Sequence, residues 1–238
     1  MEYQEIVKKL SSLKNPKNVK GMARFGIRPK TKVLGVPITE LRKIAKTIKK
    51  DPPMQTSHKL ALKLWDLKIH EARILAGFIA EPCKATESQI EKWVKGFDSW
   101  DVCDQVCSNF LDKTEFAYKK VFEFSKRKEE FVKRTAFALM ACLAVHNKKM
   151  KDKDFLKFFP LIKKESVDER NFVKKAVNWA LRQIGKRNLN LNKKAIELAK
   201  EILQLAEKNN SKSAKWIASG VISELKNPKI KKRLKNKI

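Results

Sequence analysis

Phe131-Val132-Lys133-Arg134-Thr135-Ala136 returns 41 residues later as Phe172-Val173-Lys174-Lys175-Ala176-Val177, with the aromatic, the β-branched residue and the paired cations in the same order. A second echo follows. Lys175-Ala176-Val177-Asn178-Trp179-Ala180 reappears as Lys212-Ser213-Ala214-Lys215-Trp216-Ile217, 37 residues on, and Trp65-Asp66 returns as Trp100-Asp101 after 35. Periods of this size hold two helices and their links, so the reading is of antiparallel helix pairs stacked side by side, each burying its apolar face against the next.

The composition agrees. Of 238 residues only 7 are Gly and 8 Pro, too few for a sandwich or barrel built on many tight turns, while 42% hydrophobic residues with 13 Phe and 5 Trp suffice for a core. Apolar residues recur at helical spacing, as in Ile38, Leu41, Ile44, Ala45 and Ile48, or Phe131, Ala138, Leu139, Cys142 and Val145. Breaks are expected at Lys50-Asp51-Pro52-Pro53, Glu81-Pro82-Cys83, Phe159-Pro160 and Lys186-Arg187-Asn188. Thr39, Thr86 and the Ser166–Glu169 spacing read as helix starts. The fold expected is therefore all-α, a curved α-solenoid of HEAT-like antiparallel helix pairs with a concave basic groove. No composition shift marks a boundary, so residues 1–238 are read as a single domain. Lys226 to Ile238, basic and free of acids, reads as a final helix or a tail.

Charge narrows the partners. Lys and Arg number 55 against 26 Asp and Glu, a formal net charge of +29, and the natural relief for such self-repulsion is a polyanion that releases its counterions on binding. Nucleic acid leads; a lysine-rich surface that is merely solvated and an anionic membrane are the other readings. The start MEYQEIVKKLSSLK has acids and no apolar block, and no stretch approaches the roughly 18 apolar residues a spanning helix needs, so a soluble, cytoplasmic protein without membrane partners is expected. Cys83, Cys103, Cys107 and Cys142 stand in no zinc-ligand spacing to His58, His70 or His146, and read as small buried hydrophobes. No metal or cofactor is implied.

One segment concentrates chemistry. In Phe97-Asp98-Ser99-Trp100-Asp101-Val102-Cys103-Asp104, Ser99 reads as an N-cap, Asp101 then falls in the first turn where the helix dipole favours it, and Trp100 and Asp104 share a face. A second aromatic, here with basic neighbours, appears at Lys175, Trp179 and Arg182, again at spacings of four and three. On the residues alone, core tryptophans and a surface carboxylate paired with lysine remain the plainer reading.

Several stretches in order resemble a known family. Gly21-Met22-Ala23-Arg24-Phe25-Gly26-Ile27, Leu34-Gly35-Val36-Pro37 with Leu41-Arg42, Leu64-Trp65-Asp66, Ser99-Trp100-Asp101 with Asp104, Phe131-Val132-Lys133-Arg134 and Phe172 to Arg182 are similar to the AlkD family, DNA glycosylases for alkylated purines built from HEAT-like repeats. The likeness runs from about residue 5 to residue 220. It implies that Trp100 and Trp179 are the active-site tryptophans, Asp104 the essential aspartate and Arg134 the DNA-positioning arginine. Arg182, Lys175 and Arg24 join them as DNA-binding candidates. By the same resemblance the substrate is double-stranded DNA carrying 3-methyladenine or 7-methylguanine, contacted from outside without base flipping, by a monomer with no cofactor. The alternative is a non-catalytic HEAT-repeat protein that binds damaged or branched DNA; an adaptor for proteins is a third reading.

Overall fold

The computed structural model describes residues 1–50 and 56–236. Among them fifteen α-helices and two short 3-10 turns make up the regular structure, apart from one isolated bridge between Lys32 and Ile69. They gather into two compact units, Met1–Phe116 and Ala117–Ile238. No helix of the described residues is long and apolar enough to cross a membrane.

The first unit contains α1 (Tyr3–Ser12), α2 (Pro16–Arg24), α3 (Ile38–Lys50), α4 (Ser57–Asp66), α5 (His70–Ile79), α6 (Glu87–Lys95) and α7 (Trp100–Asn109). His70 meets Asp101, and a Cβ on Gly77 would touch Val106, so α5 and α7 run parallel. On the other flank of α5, Arg42 of α3 lies over the Phe78 ring, 4.6 Å from its centroid. The helices between run back. The His58 N–H donates to Glu81 Oε1 at 3.1 Å and the Glu81 N–H to His58 Nδ1 at 3.2 Å, which puts the start of α4 beside the end of α5. This is the HEAT-like helix pair that the sequence periods predicted.

The Trp65/Trp100 echo, however, is not a structural equivalence. Trp65 sits on returning helix α4, buried and stacked on Trp93 of α6 with ring centroids 4.5 Å apart, whereas Trp100 opens α7 in the other layer. A buried aromatic of this size contributes about 1.5–3 kcal/mol, so Trp65 belongs to the core.

The second unit contains α8 (Ala117–Phe124), α9 (Glu130–His146), α10 (Asp152–Leu156), α11 (Phe159–Glu165), α12 (Asn171–Gly185), α13 (Leu189–Asn209), α14 (Lys212–Lys226) and α15 (Pro228–Lys235). Here the echoed phenylalanines are true equivalents: the Phe131 and Phe172 rings stack with centroids 5.5 Å apart, and α9 and α12 run parallel. The Trp179/Trp216 echo is shifted. Arg182 pairs with Glu224, a Cβ on Gly220 would touch Asn178, and the Asn178 amide donates to the Ile217 carbonyl at 3.3 Å, so the spatial register between α12 and α14 is 39–42 residues, not 37. Trp216 therefore stands level with residues 174–177, below Trp179. α13 returns behind both; the Asn192 side chain on its first turns donates to the Leu225 carbonyl at 3.4 Å, near the end of α14.

Thr86 caps α6 as expected, accepting the Gln89 N–H at 3.1 Å. Thr39 lies inside α3, which Ile38 opens after Pro37. Ser166 ends α11 instead of starting a helix, its hydroxyl donating to the Lys163 carbonyl at 2.7 Å, and Glu169 is free to accept from the Ser211 hydroxyl and the Ser213 N–H. The break expected at Phe159-Pro160 falls just before it, at residues 157–158 between α10 and α11, and Pro160 itself sits in the first turn of α11, where proline is tolerated. Lys226–Ile238 contributes a short helix, α15, with Lys237 and Ile238 outside the described residues, as are Asp51 to Pro53 of the first expected break. Cys103, Cys107 and Cys142 are buried, whereas Cys83 is exposed on a 3-10 turn, where Pro82 and Lys84 hold the chain at the surface.

Candidate functional site

Within the first unit, the candidate chemistry gathers at the start of α7. Ser99 occupies the N-cap position with extended backbone, but its hydroxyl bonds the Asp101 carboxyl instead of capping an amide. Val102, Cys103, Val106 and Cys107 face the core. That leaves Trp100 and Asp104, one turn apart, on a half-buried stripe, with Asp101 and Gln105 beside them.

Asp101 is held firmly. His70 Nε2 lies 2.8 Å from Asp101 Oδ2, and the imidazole is wholly buried. Burial opposes charging this ring, yet the Asp101 carboxyl, with Glu71 and Asp98 beyond it, outweighs burial and raises the His70 pKa. For Asp101, burial pushes upward, but the His70 and Ser99 bonds and the Val102 amide prevail and depress its pKa. Both shifts favour the charged forms of the pair, which lies next to Trp100 in the first turn of α7.

Glu71 anchors the neighbouring loop. Its carboxyl accepts the Leu34 N–H at 2.9 Å and the Gly35 N–H at 2.7 Å, fixing the Leu34-Gly35-Val36-Pro37 segment that resemblance singled out. Gly35 has φ +78, and a Cβ there would collide with the Asn15 carbonyl, so the loop needs glycine. Trp100 is tied to the other resembling segment, its Nε1–H donating to the Phe25 carbonyl at 3.1 Å. Phe25 itself is 75% exposed. Together these segments enclose a cavity of about 540 Å³, lined by Met22, Phe25, Ile74, His70, Trp100 and Asp101 among others. Asp104 is not among the lining residues; it shares the stripe of Trp100 outside. Arg24 is exposed at the end of α2.

The other candidates belong to the second unit. On α12, Lys175 is exposed and Trp179 and Arg182 are half-buried along one stripe. Arg182 is committed to neighbours, donating to Asn178 Oδ1 at 3.2 Å and pairing with Glu224, which Lys186 also meets at 2.6 Å. Burial raises the Glu224 pKa, but these two cations outweigh it and depress the value. Arg134, on α9, is 5% exposed and its Nη1 donates to the Phe172 carbonyl at 2.6 Å, so it clamps α9 to α12. The first unit thus carries Trp100 and Asp104 on α7, and the second carries Arg134 on α9 and Lys175, Trp179 and Arg182 on α12.

Comparison with known proteins places this architecture. The model of a family described as DNA alkylation repair enzyme matches residues 6–219. The chain belongs to the DNA alkylation repair enzyme family. A solved structure with 21% identity superposes with a TM-score of 0.72, covering 84% of this chain and 83% of its own, and is described as a member of "a new family of proteins related to the HEAT-like repeat DNA glycosylases with affinity for branched DNA structures". That likeness shows the fold, HEAT-like and helical. No curated protein sequence matches the chain.

Sequence reasoning overlooked two participants that the repair-family fold brings to Trp100. Nothing in the sequence around Phe25 reveals a carbonyl aimed at an indole; the Gly26 that follows, with φ +77, is the one local sign of a turn there. His70 carries no sequence signal of its role, because its partner Asp101 lies 31 residues away in the chain.

Proposed function

We propose that this repair-family chain is a DNA glycosylase that excises cationic N3- and N7-alkylated purines, 3-methyladenine and 7-methylguanine, from duplex DNA by hydrolysing the N-glycosidic bond. The observation that carries the reading is the stripe on α7 where Trp100 and Asp104 stand one turn apart, half-buried, in a chain of net charge +29.

The chemistry suits such a site. A purine alkylated at N3 or N7 already bears positive charge, so it departs as a neutral base with no general acid, and the electron pair of the C1′–N bond leaves with it. What develops is an oxocarbenium-like sugar. A fixed carboxylate on Asp104 stabilises that cation and positions the water that attacks C1′, an effect worth roughly 3–4 kcal/mol when charge develops in a preorganised site. Trp100 and Trp179 offer ring faces to the deoxyribose and to the exposed edge of the cationic base. Buried His70 and Asp101 hold the first turn of α7, and with it the Trp100 indole, in place.

Affinity in this reading comes from phosphates, through exposed cations such as Arg24 and Lys175, and selectivity from lesion charge, so the base remains in the stack. The protein acts as a monomer in the cytoplasm, associated with DNA, and needs no cofactor. If six to ten phosphates are contacted, affinity falls by roughly 10³–10⁵ between 50 and 200 mM salt. A second reading draws on the solved relative: a non-catalytic HEAT-repeat protein that binds damaged or branched DNA. Incubating the protein with duplex containing 7-methylguanine and measuring the free base separates them. Release above the spontaneous rate supports the enzyme; release at that rate leaves the binder.

A further inference from the structure

The α14 face of the second unit carries a feature that base excision does not use. Trp216 is 48% exposed, although an indole of its size gains from burial. Its neighbours along the helix do nothing to cover it. Ser219 and Gly220, one turn on, are small and exposed, and a Cβ on Gly220 would meet only the Asn178 amide nitrogen. Lys212, Lys215, Ser223 and Lys226 complete this exposed surface. On α12, Lys174 and Lys175 lie near its level by the 39–42-residue register. The one acid on α14, Glu224, is occupied by Arg182 and Lys186. Helix α15 follows with Lys229, Lys231, Lys232, Arg233 and Lys235 and no acid.

We propose that Trp216 is a stacking platform for an unpaired base, so that this face of α14 binds a single-stranded segment of DNA. Positive charge alone would suit any phosphate backbone. An exposed indole adds a flat π face, and bases within an intact duplex have no free face to set against it. Single strands do, and a groove of cations interleaved with an aromatic is how sequence-tolerant binding of unpaired bases is achieved. Small residues at 219 and 220 leave room beside the ring for a base to approach. The proposal requires that the chain bind DNA, not that it cleave the glycosidic bond.

The test compares blunt duplex with the same duplex bearing a ten-nucleotide single-stranded overhang, by fluorescence anisotropy at fixed salt, for wild type, Trp216→Ala and Trp216→Phe. Trp216 is exposed, so both variants retain the fold, which far-UV circular dichroism verifies. The expected result is that wild type prefers the overhang DNA, that Trp216→Ala loses about tenfold on it and less than twofold on blunt duplex, and that Trp216→Phe retains most of the preference. Equal affinity of wild type and Trp216→Ala for the overhang DNA overturns the proposal, as does an equal loss on both DNAs. Base release from internal 7-methylguanine is unchanged in Trp216→Ala. A protein that releases no base yet shows the overhang effect keeps this inference and loses the enzymatic reading.

Discussion

His70 Nε2 stands 2.8 Å from Asp101 Oδ2, joining the first turn of α5 to the first turn of α7 beneath Trp100. Because the His70 pKa is raised, its contribution to stability is complete below the ordinary histidine value of 6.5 and is lost as pH rises through the folded-state value. The Asp101 pKa is depressed, so its contribution is present above the ordinary aspartate value of 3.8 and is lost as pH falls through its lower folded value. The pair predicts a thermal midpoint that declines in wild type as pH rises above the ordinary histidine value, with a flatter decline in His70→Asn. Superimposable pH profiles for the two proteins contradict it.

Arg134 is a buried clamp as well as a candidate DNA contact. Replacing it with Ala removes this charge-assisted bond to the Phe172 carbonyl inside the second unit, at a cost of about 1.5–3 kcal/mol. Urea unfolding is expected to show that loss, together with weakened duplex binding and base release. A variant of unchanged stability and full affinity removes Arg134 from both roles.

The loop that Glu71 grips predicts a backbone effect. Gly35→Ala adds a Cβ at φ +78 against the Asn15 carbonyl and is expected to destabilise by more than about 1 kcal/mol, whereas Gly21→Ala, in open space on α2, stabilises or is neutral. Similar midpoints for the two variants would show that the loop relaxes freely.

Trp179→Ala is expected to slow release of 7-methylguanine by roughly five- to thirtyfold, the range of a desolvated cation–π contact, while affinity for undamaged duplex changes little. Single-turnover kinetics beside equilibrium binding makes the separation. Undiminished release removes Trp179 from the site.

The all-helical, repeated architecture was legible because its signal is periodic. Phe131 and Phe172 mark the register correctly, since both pack at the same level of adjacent parallel helices. The two tryptophan echoes misled for opposite reasons. Trp65 and Trp100 sit in different layers, and insertion of residues between α12 and α14 shifts Trp216 out of register with Trp179. Thr39 and Ser166 have the side chains of N-caps, but Pro37 before one and the end of α11 at the other decide the backbone first. Of the site, α7 was legible through helical spacing alone. His70 and Phe25 were not, because each acts through a partner far away in the chain.

The most direct measurement is the first-order release of 7-methylguanine from a duplex oligonucleotide under saturating wild type and saturating Asp104→Asn protein, with matched affinity for undamaged DNA confirmed. The account predicts release by wild type well above the spontaneous rate and a loss of roughly 10²–10³ in the amide variant, whose side chain keeps its shape but no longer carries charge. Release at one common rate by the two proteins contradicts it.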